Sequence, residues 1–296
     1  MNNHSSAEQQ FLKEYDVNQY LRPSVTVDLL LFTVVDKETD NYRKRSDKAL
    51  KILLIKRKDH PFQGQWALPG GFVSAHESID EAAIRVLEKE TNVSDVYLEQ
   101  LYTWGDIGRD PRTRVISCSY MALINSDLYP VQPGAGAEDA KWFHVQDQWT
   151  QKKTTVTDNG FLTEKWVELR LTNDTDRAQA TVKITKTVEN GHSKVTQEIV
   201  DSQNLAFDHA KMVLYALERL RNKVDYTDIA FHLLPEYFAL SDLQQVFEVI
   251  LGKELLAAAF RRKIADKVLE TNHIRRSAGH RPAKLYKYNP NWDDEL

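Results

Sequence analysis

Apolar positions recur along this chain with two periods, and the switches between them lay out its elements. Residues 23–35 (PSVTVDLLLFTVV) are rich in β-branched and large apolar side chains and predict a buried strand, with 51–57 (KILLIKR) as its partner. Between them 36–48 is charged and without a period, so a loop or hairpin tip is expected there. Ser78 with Glu81 three residues on forms a capping box, and Ile79, Ala82, Ala83, Val86 and Leu87 follow at helical spacing. A helix therefore starts near Ser78. Strands are expected again at 115–123 and 141–145, the second closing the sheet. Residues 166–171 alternate, and 181–188 meets 194–200 across Asn190 and Gly191, a strong hairpin signal. Outward positions there are Lys, Thr and Gln, so 147–204 reads as a solvent-facing β insertion rather than a binding device. A long helix opens at Leu205 and runs to about Asn222 on a stripe of Ala210, Val213, Leu214, Leu217 and Leu220. His209 is expected at the helix end and not as a metal ligand, since no second His or Cys stands at ligand spacing.

From Asp225 onward the pattern changes. Ser241 with Gln244 makes a second capping box, and Leu243, Val246, Phe247 and Ile250 follow until Gly252 stops the helix. A further helix over 255–269 is expected to pack Leu256, Phe260, Ile264 and Val268. Two short helices joined by a glycine turn are a helix-turn-helix candidate, with 271–276 and 281–288 as two strands around a wing. Between 261 and 287 nine Lys or Arg face two acids, Asp266 and Glu270. A charge run is usually a solvated face, but this one lies on the second helix and the wing together. With Phe260, Ile264 and Val268 turned inward, Arg262 projects outward beside the small Ala258, a geometry suited to a major groove.

Composition adds limits. A chain of 296 residues with 42% hydrophobic residues can bury a substantial core and is long enough for two domains. The formal net charge of -4 leaves any nucleic-acid reading to local charge. One cysteine, Cys118, sits in an apolar strand, which excludes an internal disulfide and points to a core thiol in a reducing, cytoplasmic setting. The polar N-terminus has no apolar targeting core, and the longest apolar run is too short to span a bilayer, so no membrane is expected.

The candidate chemistry lies at 68–93, LPGGFVSAHESIDEAAIRVLEKETNV. Paired glycines let backbone amides approach an anionic ligand. The loop 104–114 adds Arg109 and Arg112 around Pro111; guanidinium groups there suit bidentate phosphate recognition, and a salt bridge to Asp106 or Asp110 is equally expected. The stretch resembles a Nudix box: Gly71, Glu77, Arg85, Leu87, Glu90 and Val93 fall on its pattern, while Val86, Lys89 and Asn92 depart from it. In that family the positions of Val86, Lys89 and Glu90 hold divalent metal, usually magnesium, against a pyrophosphate, and hard cations need several oxygens converging on one point. At about 100° per residue these three share one side of the helix, and Glu88 points away. Glu90 alone remains as a weak metal candidate, with a rearranged set using Glu77, Asp80 or Glu81 left open.

With LAFDHAKMVLYALERLR, FALSDLQQVFEVILGKELLAAAFRRKIADK and the GHRPAKLY wing, nearly the whole chain resembles the Nudix-related transcriptional regulators, the NrtR-like family. The resemblance implies an α+β chain: a Nudix α/β/α sandwich over 1–222 with a β-hairpin insertion at 147–204, then a winged helix-turn-helix domain over 223–296. It implies a regulator, expected to be a repressor of NAD or sugar metabolism, whose catalytically degenerate Nudix domain senses ADP-ribose or a related sugar phosphate or nucleotide. Effector contacts fall on Leu68, Pro69, Gly70, Gly71, Arg109 and Arg112, and Glu77, Arg85 and Glu90 are the residual catalytic positions. DNA contacts fall on Arg261, Arg262, Lys263, Arg275, Arg276, His280, Arg281 and Lys284. The expected partners are a double-stranded DNA operator, the small effector and a second copy in a homodimer, with no cofactor required for regulation. The alternative is a Mg²⁺-dependent ADP-ribose or nucleoside-diphosphate-sugar pyrophosphatase.

Overall fold

The computed structural model describes residues 6–37, 47–91, 96, 98–126, 133–134, 136–276 and 282–292. After helix α1 (Ser6–Glu14), strand β1 (Ser24–Asp36) sends Val27, Leu29 and Leu31 to one face and Leu30 and Phe32 to the other, all wholly buried. A central strand covered on both sides reads as this kind of unbroken apolar run. Antiparallel β2 (Lys48–Arg57) lies beside it, and the short strands β3 (Trp66–Ala67) and β4 (Gly70–Phe72) pair with β2 and β1. The expected loop falls largely on 38–46, outside the described residues. Helix α2 (Ile79–Thr91) starts where the capping box places it: Ser78 N–H donates to Glu81 and Glu81 N–H to Ser78 Oγ, at 2.7 and 3.2 Å. Its stripe, with Val86 and Leu87, packs on Val27, Leu29 and Cys118.

Strand β5 (Glu99–Trp104) leads to β6 (Val115–Leu123), which runs parallel to β1. The next strand, β7 (Ala137–Thr157), does not close the sheet as expected. It runs for 21 residues and is followed by β8 (Gly160–Thr172), β9 (Arg177–Glu189) and β10 (His192–Gln203), giving the order β10-β9-β8-β7-β2-β1-β6-β5. The 147–204 segment is thus sheet extension at its root and solvent-facing only toward its tip. Val167, Leu169, Leu171, Ala178, Ala180 and Val182 are buried in the same core as β1, because the helix that follows lies over them. Asn190 and Gly191 turn the outer hairpin with φ of 49° and 80°, as a two-residue primed turn demands.

That helix, α3 (His209–Lys223), begins later than expected. Leu205 bridges to Trp66 and Phe207 and Asp208 form a turn, with Phe207 at φ 54°, and the apolar stripe of α3 lies on the face of the sheet opposite α2. The result is an α/β/α sandwich. Near the end of α3, Arg221 donates to Asp147 on β7 at 2.8 Å and to the carbonyl of Ile250 at 3.1 Å, tying the sheet to the next domain.

The C-terminal domain holds α4 (Leu240–Leu251), α5 (Ala257–Lys263) and the wing strands β11 (Val268–Arg275) and β12 (Ala283–Tyr288). Ser241 does not cap α4: Ala239 is the N-cap, its N–H held by Asp242 at 3.0 Å, so the helix starts earlier. Gly252 ends it at φ 66°. Gln244 instead closes the turn, donating to the carbonyl of Leu255. Helix α5 is shorter than expected. Leu256 is 82% exposed before its start, and Val268 already belongs to the wing, while Phe260 and Ile264 are buried against Phe247 and the core.

Candidate functional site

Strand β4 crosses β1 so that Gly70 faces Asp28 and Gly71 faces Val27. A side chain has no room there. A Cβ on Gly70 would meet Asp28 Oδ1 at 2.5 Å and the Val27 carbonyl at 2.8 Å, and one on Gly71 would meet Val86 at 3.0 Å. The paired glycines thus reflect close packing, and Val86 fills the space beneath them.

Above this crossing is a cavity of about 160 Å³. Of the expected effector residues, Leu68, Gly70, Gly71, Arg109 and Arg112 line it; Pro69 does not, its carbonyl accepting the Leu29 N–H at 2.8 Å. Both readings of the arginine loop hold at once. Arg109, 6% exposed, donates through Nε and a terminal nitrogen to Asp208 at 2.9 and 2.7 Å, with Asp28 at 3.9 Å. Arg112 pairs with Asp110 at 2.7 Å and lies over the Phe72 ring at 5.3 Å, and its guanidinium holds the Asp110 carboxyl below the usual carboxylate range.

Sequence reasoning missed other residues of this wall, among them Asp28, Arg57, Phe72, Phe207 and His209, and it missed Asp208 as the partner of Arg109. Arg57 donates to the Pro61 carbonyl at 2.7 Å and lies 5.0 Å from the centre of the Phe207 ring; burial, then the nearby Arg112, lowers its pKa. His209 is no simple helix-end residue. It is 4% exposed, its Nδ1 accepts the Leu68 N–H at 3.0 Å, and its Nε2 lies 3.7 Å from Asp28. Burial pushes its pKa down, so the ring is neutral with its proton on Nε2. The one signal available was the polar Asp208-His209 pair opening an apolar helix.

The residual Nudix carboxylates do not converge. Glu77 accepts from Arg85 and from the Ser74 N–H, which lowers its pKa to about 2. Asp80 accepts from the Tyr120 hydroxyl, and Glu81 from the Ser78 N–H. Val86 is buried, Lys89 is exposed, and the Glu90 side chain lies outside the described residues. Among the described residues no group of three His, Cys, Asp or Glu could hold a metal ion, and the described side chains of this helix offer no set of oxygens converging on a magnesium.

In the C-terminal domain α5 buries only Phe260 and leaves Ala257, Ala258, Arg261 and Arg262 exposed. Arg261 and Arg262 make no ion pair among the described residues. Lys263 pairs with Asp225, Arg275 with Asp242 at 2.9 Å, and Lys284 with Glu270, while Arg276 is exposed. His280 and Arg281 lie outside the described residues. Lys267, counted in the basic run, is buried over the Trp292 ring at 3.8 Å and faces inward. No helix among the described residues is long and apolar enough to cross a membrane.

Two family models match, a NUDIX domain at residues 42–164 and an NrtR DNA-binding winged helix domain at 230–288. The chain is 31% identical over 286 residues to the ADPR responsive transcriptional repressor NtrR of Acinetobacter baylyi, covering 96% of this chain and 89% of the relative. Among solved structures it resembles a MutT/nudix family protein from Enterococcus faecalis at a TM-score of 0.67 and 26% identity, covering 97% of this chain and 94% of that one. It also resembles Shewanella oneidensis NrtR complexed with a 27mer DNA, at a TM-score of 0.59 and 29% identity over 91% of this chain and 95% of that one.

Proposed function

This chain belongs to the NrtR family, in which a Nudix domain is joined to a DNA-binding winged helix, and we propose that it is a transcriptional repressor that binds an operator and responds to ADP-ribose. The observation that carries the reading is the conversion of the Nudix site. The glycine crossing and an arginine-lined pocket remain, while Val86 occupies the core where a metal ligand would stand. Three guanidinium groups, Arg57, Arg109 and Arg112, surround a pocket suited to phosphate. A metal-dependent hydrolase needs converging carboxylates, and here Glu77, Asp80 and Glu81 are taken up by Arg85, Tyr120 and the N-terminal cap of α2. The protein therefore senses ADP-ribose without turning it over.

On the DNA side, exposed Arg261 and Arg262 enter the major groove from α5, and Arg276, with Arg275 on the wing, meets phosphates. Two copies bind together, since one winged helix covers too little duplex for a tight specific site. The test begins with selection of binding sequences from a pool of random duplexes, followed by titration of the selected DNA with ADP-ribose. Enrichment of a two-fold symmetric sequence and its release by ADP-ribose are expected. Failure to enrich any sequence, indifference of the complex to ADP-ribose, or Mg²⁺-dependent cleavage of ADP-ribose at about 1 s⁻¹ or faster would overturn the reading.

A further inference from the structure

The pocket of about 160 Å³ is small for its proposed occupant, since sites for ligands of this size enclose about 300–1,000 Å³. A second hollow of about 530 Å³ adjoins it. Arg109 lines both and its partner Asp208 lines the second, so the ion pair between them stands at the junction. The outer walls of the groove are the loop with Ile107 and Gly108, Lys211 of α3, and Gln197 and Ile199 of β10.

Three features of these walls point to a ligand. Gln197 Oε1 is buried with no hydrogen-bond partner, and a buried unsatisfied acceptor costs about 1–3 kcal/mol, which a donor on a ligand would relieve. Ile107 is 91% exposed on one wall while Ile199 packs on the core at the other, which gives the groove two aliphatic surfaces. A bulge between Ile199 and Asp201 interrupts β10 at this point, and bulges are common where a strand re-aims side chains at a site. Gln197 and Ile199, two apart, share one side of the strand.

We infer that this groove is the second half of the effector site and takes a planar nucleobase bearing an amino group. The base lies between the two isoleucines and donates to Gln197 Oε1. The diphosphate passes Arg109, displacing Asp208 from its guanidinium, and the sugar end enters the glycine pocket. Strand β10 belongs to the extension beyond the Nudix core, so the extra strands acquire a role in ligand recognition. The inference rests on the reading of the Nudix domain as an ADP-ribose sensor.

The test uses the full chain and two ligands in calorimetric titrations: ADP-ribose, and ribose 5-phosphate, which lacks the base. Gln197→Leu removes the acceptor, and Ile107→Ser changes a side chain too exposed to affect folding. Each variant is expected to bind ADP-ribose about tenfold more weakly, the scale of one hydrogen bond or one apolar contact, and to bind ribose 5-phosphate as the parent does. Unchanged ADP-ribose affinity in both variants would overturn the groove assignment, and so would an equal loss for both ligands. If the parent protein binds neither ligand, the sensor reading itself falls, and this inference with it.

Discussion

Replacing Asp208 by Asn is expected to loosen the protein and tighten its grip on the effector together. Asp208 is 8% exposed at the side chain and accepts two hydrogen bonds from Arg109, itself 6% exposed. Breaking a buried pair by removing one partner costs about 3–5 kcal/mol, because the other charge is left uncompensated. Here Asp28 stays 3.9 Å from the guanidinium, and the new amide keeps one acceptor oxygen, so about 2–3 kcal/mol is expected. At about 2–4 °C per kcal/mol for a chain of this size, the melting temperature should fall by ~5–10 °C. The freed Arg109 no longer has to leave Asp208 to meet a phosphate, so ADP-ribose should bind about tenfold tighter and recover part of the lost stability by mass action. Thermal unfolding with and without saturating ADP-ribose measures both. A variant that melts within about 1 °C of the parent and gains the same ligand shift would refute the reasoning, for the pair would then be coupled neither to stability nor to the pocket.

Gly70→Ala should destabilise by ~1–3 kcal/mol, the cost of overpacking, because its Cβ meets the Val27 carbonyl and Asp28; a denaturant midpoint equal to that of the parent would contradict the account of the glycine crossing. His209 has a depressed pKa in the folded state, so the unfolded chain binds more protons below the ordinary histidine value; stability should be full above about pH 6.5 and fall as pH drops below it. Denaturant titrations at stepped pH should show His209→Gln flattening that slope, whereas loss through Glu77 begins only as pH falls through the ordinary carboxylate value and continues down to its folded pKa of about 2. Arg262→Ala should cost ~1–3 kcal/mol on the selected duplex and relax preference at one position, while Arg276→Ala should weaken all sequences alike and reduce the salt slope by about one; full affinity and specificity in Arg262→Ala would remove α5 as the recognition helix.

Much of this was written locally in the chain. Side chains three or four apart touch whatever else the fold does, so the box of Ser78 and Glu81 marked α2, and the turn at Asn190 and Gly191 marked the outer hairpin. The burial of Val86 was legible for the same reason. Val86, Lys89 and Glu90 share one helix face by spacing alone, and an apolar residue among them joins the core. Local rules erred where two signals overlapped. Asp242 caps Ala239 with the same three-residue reach that Ser241 and Gln244 offered, and it won by starting the helix earlier.

Tertiary structure decided what no window of sequence contains. Residues 167–182 looked half-exposed because alternation reports one covered face without naming the cover, and α3 supplies it from farther down the chain. The site likewise joins parts distant in the chain: Asp28 from β1, Arg57 from β2, Arg109 from a loop and Asp208 and His209 at the head of α3. Each alone reads as an ordinary surface or helix-end residue. Only the sheet order places their charges within a few ångströms of one another, where burial makes His209 neutral and holds Arg109 between two carboxylates.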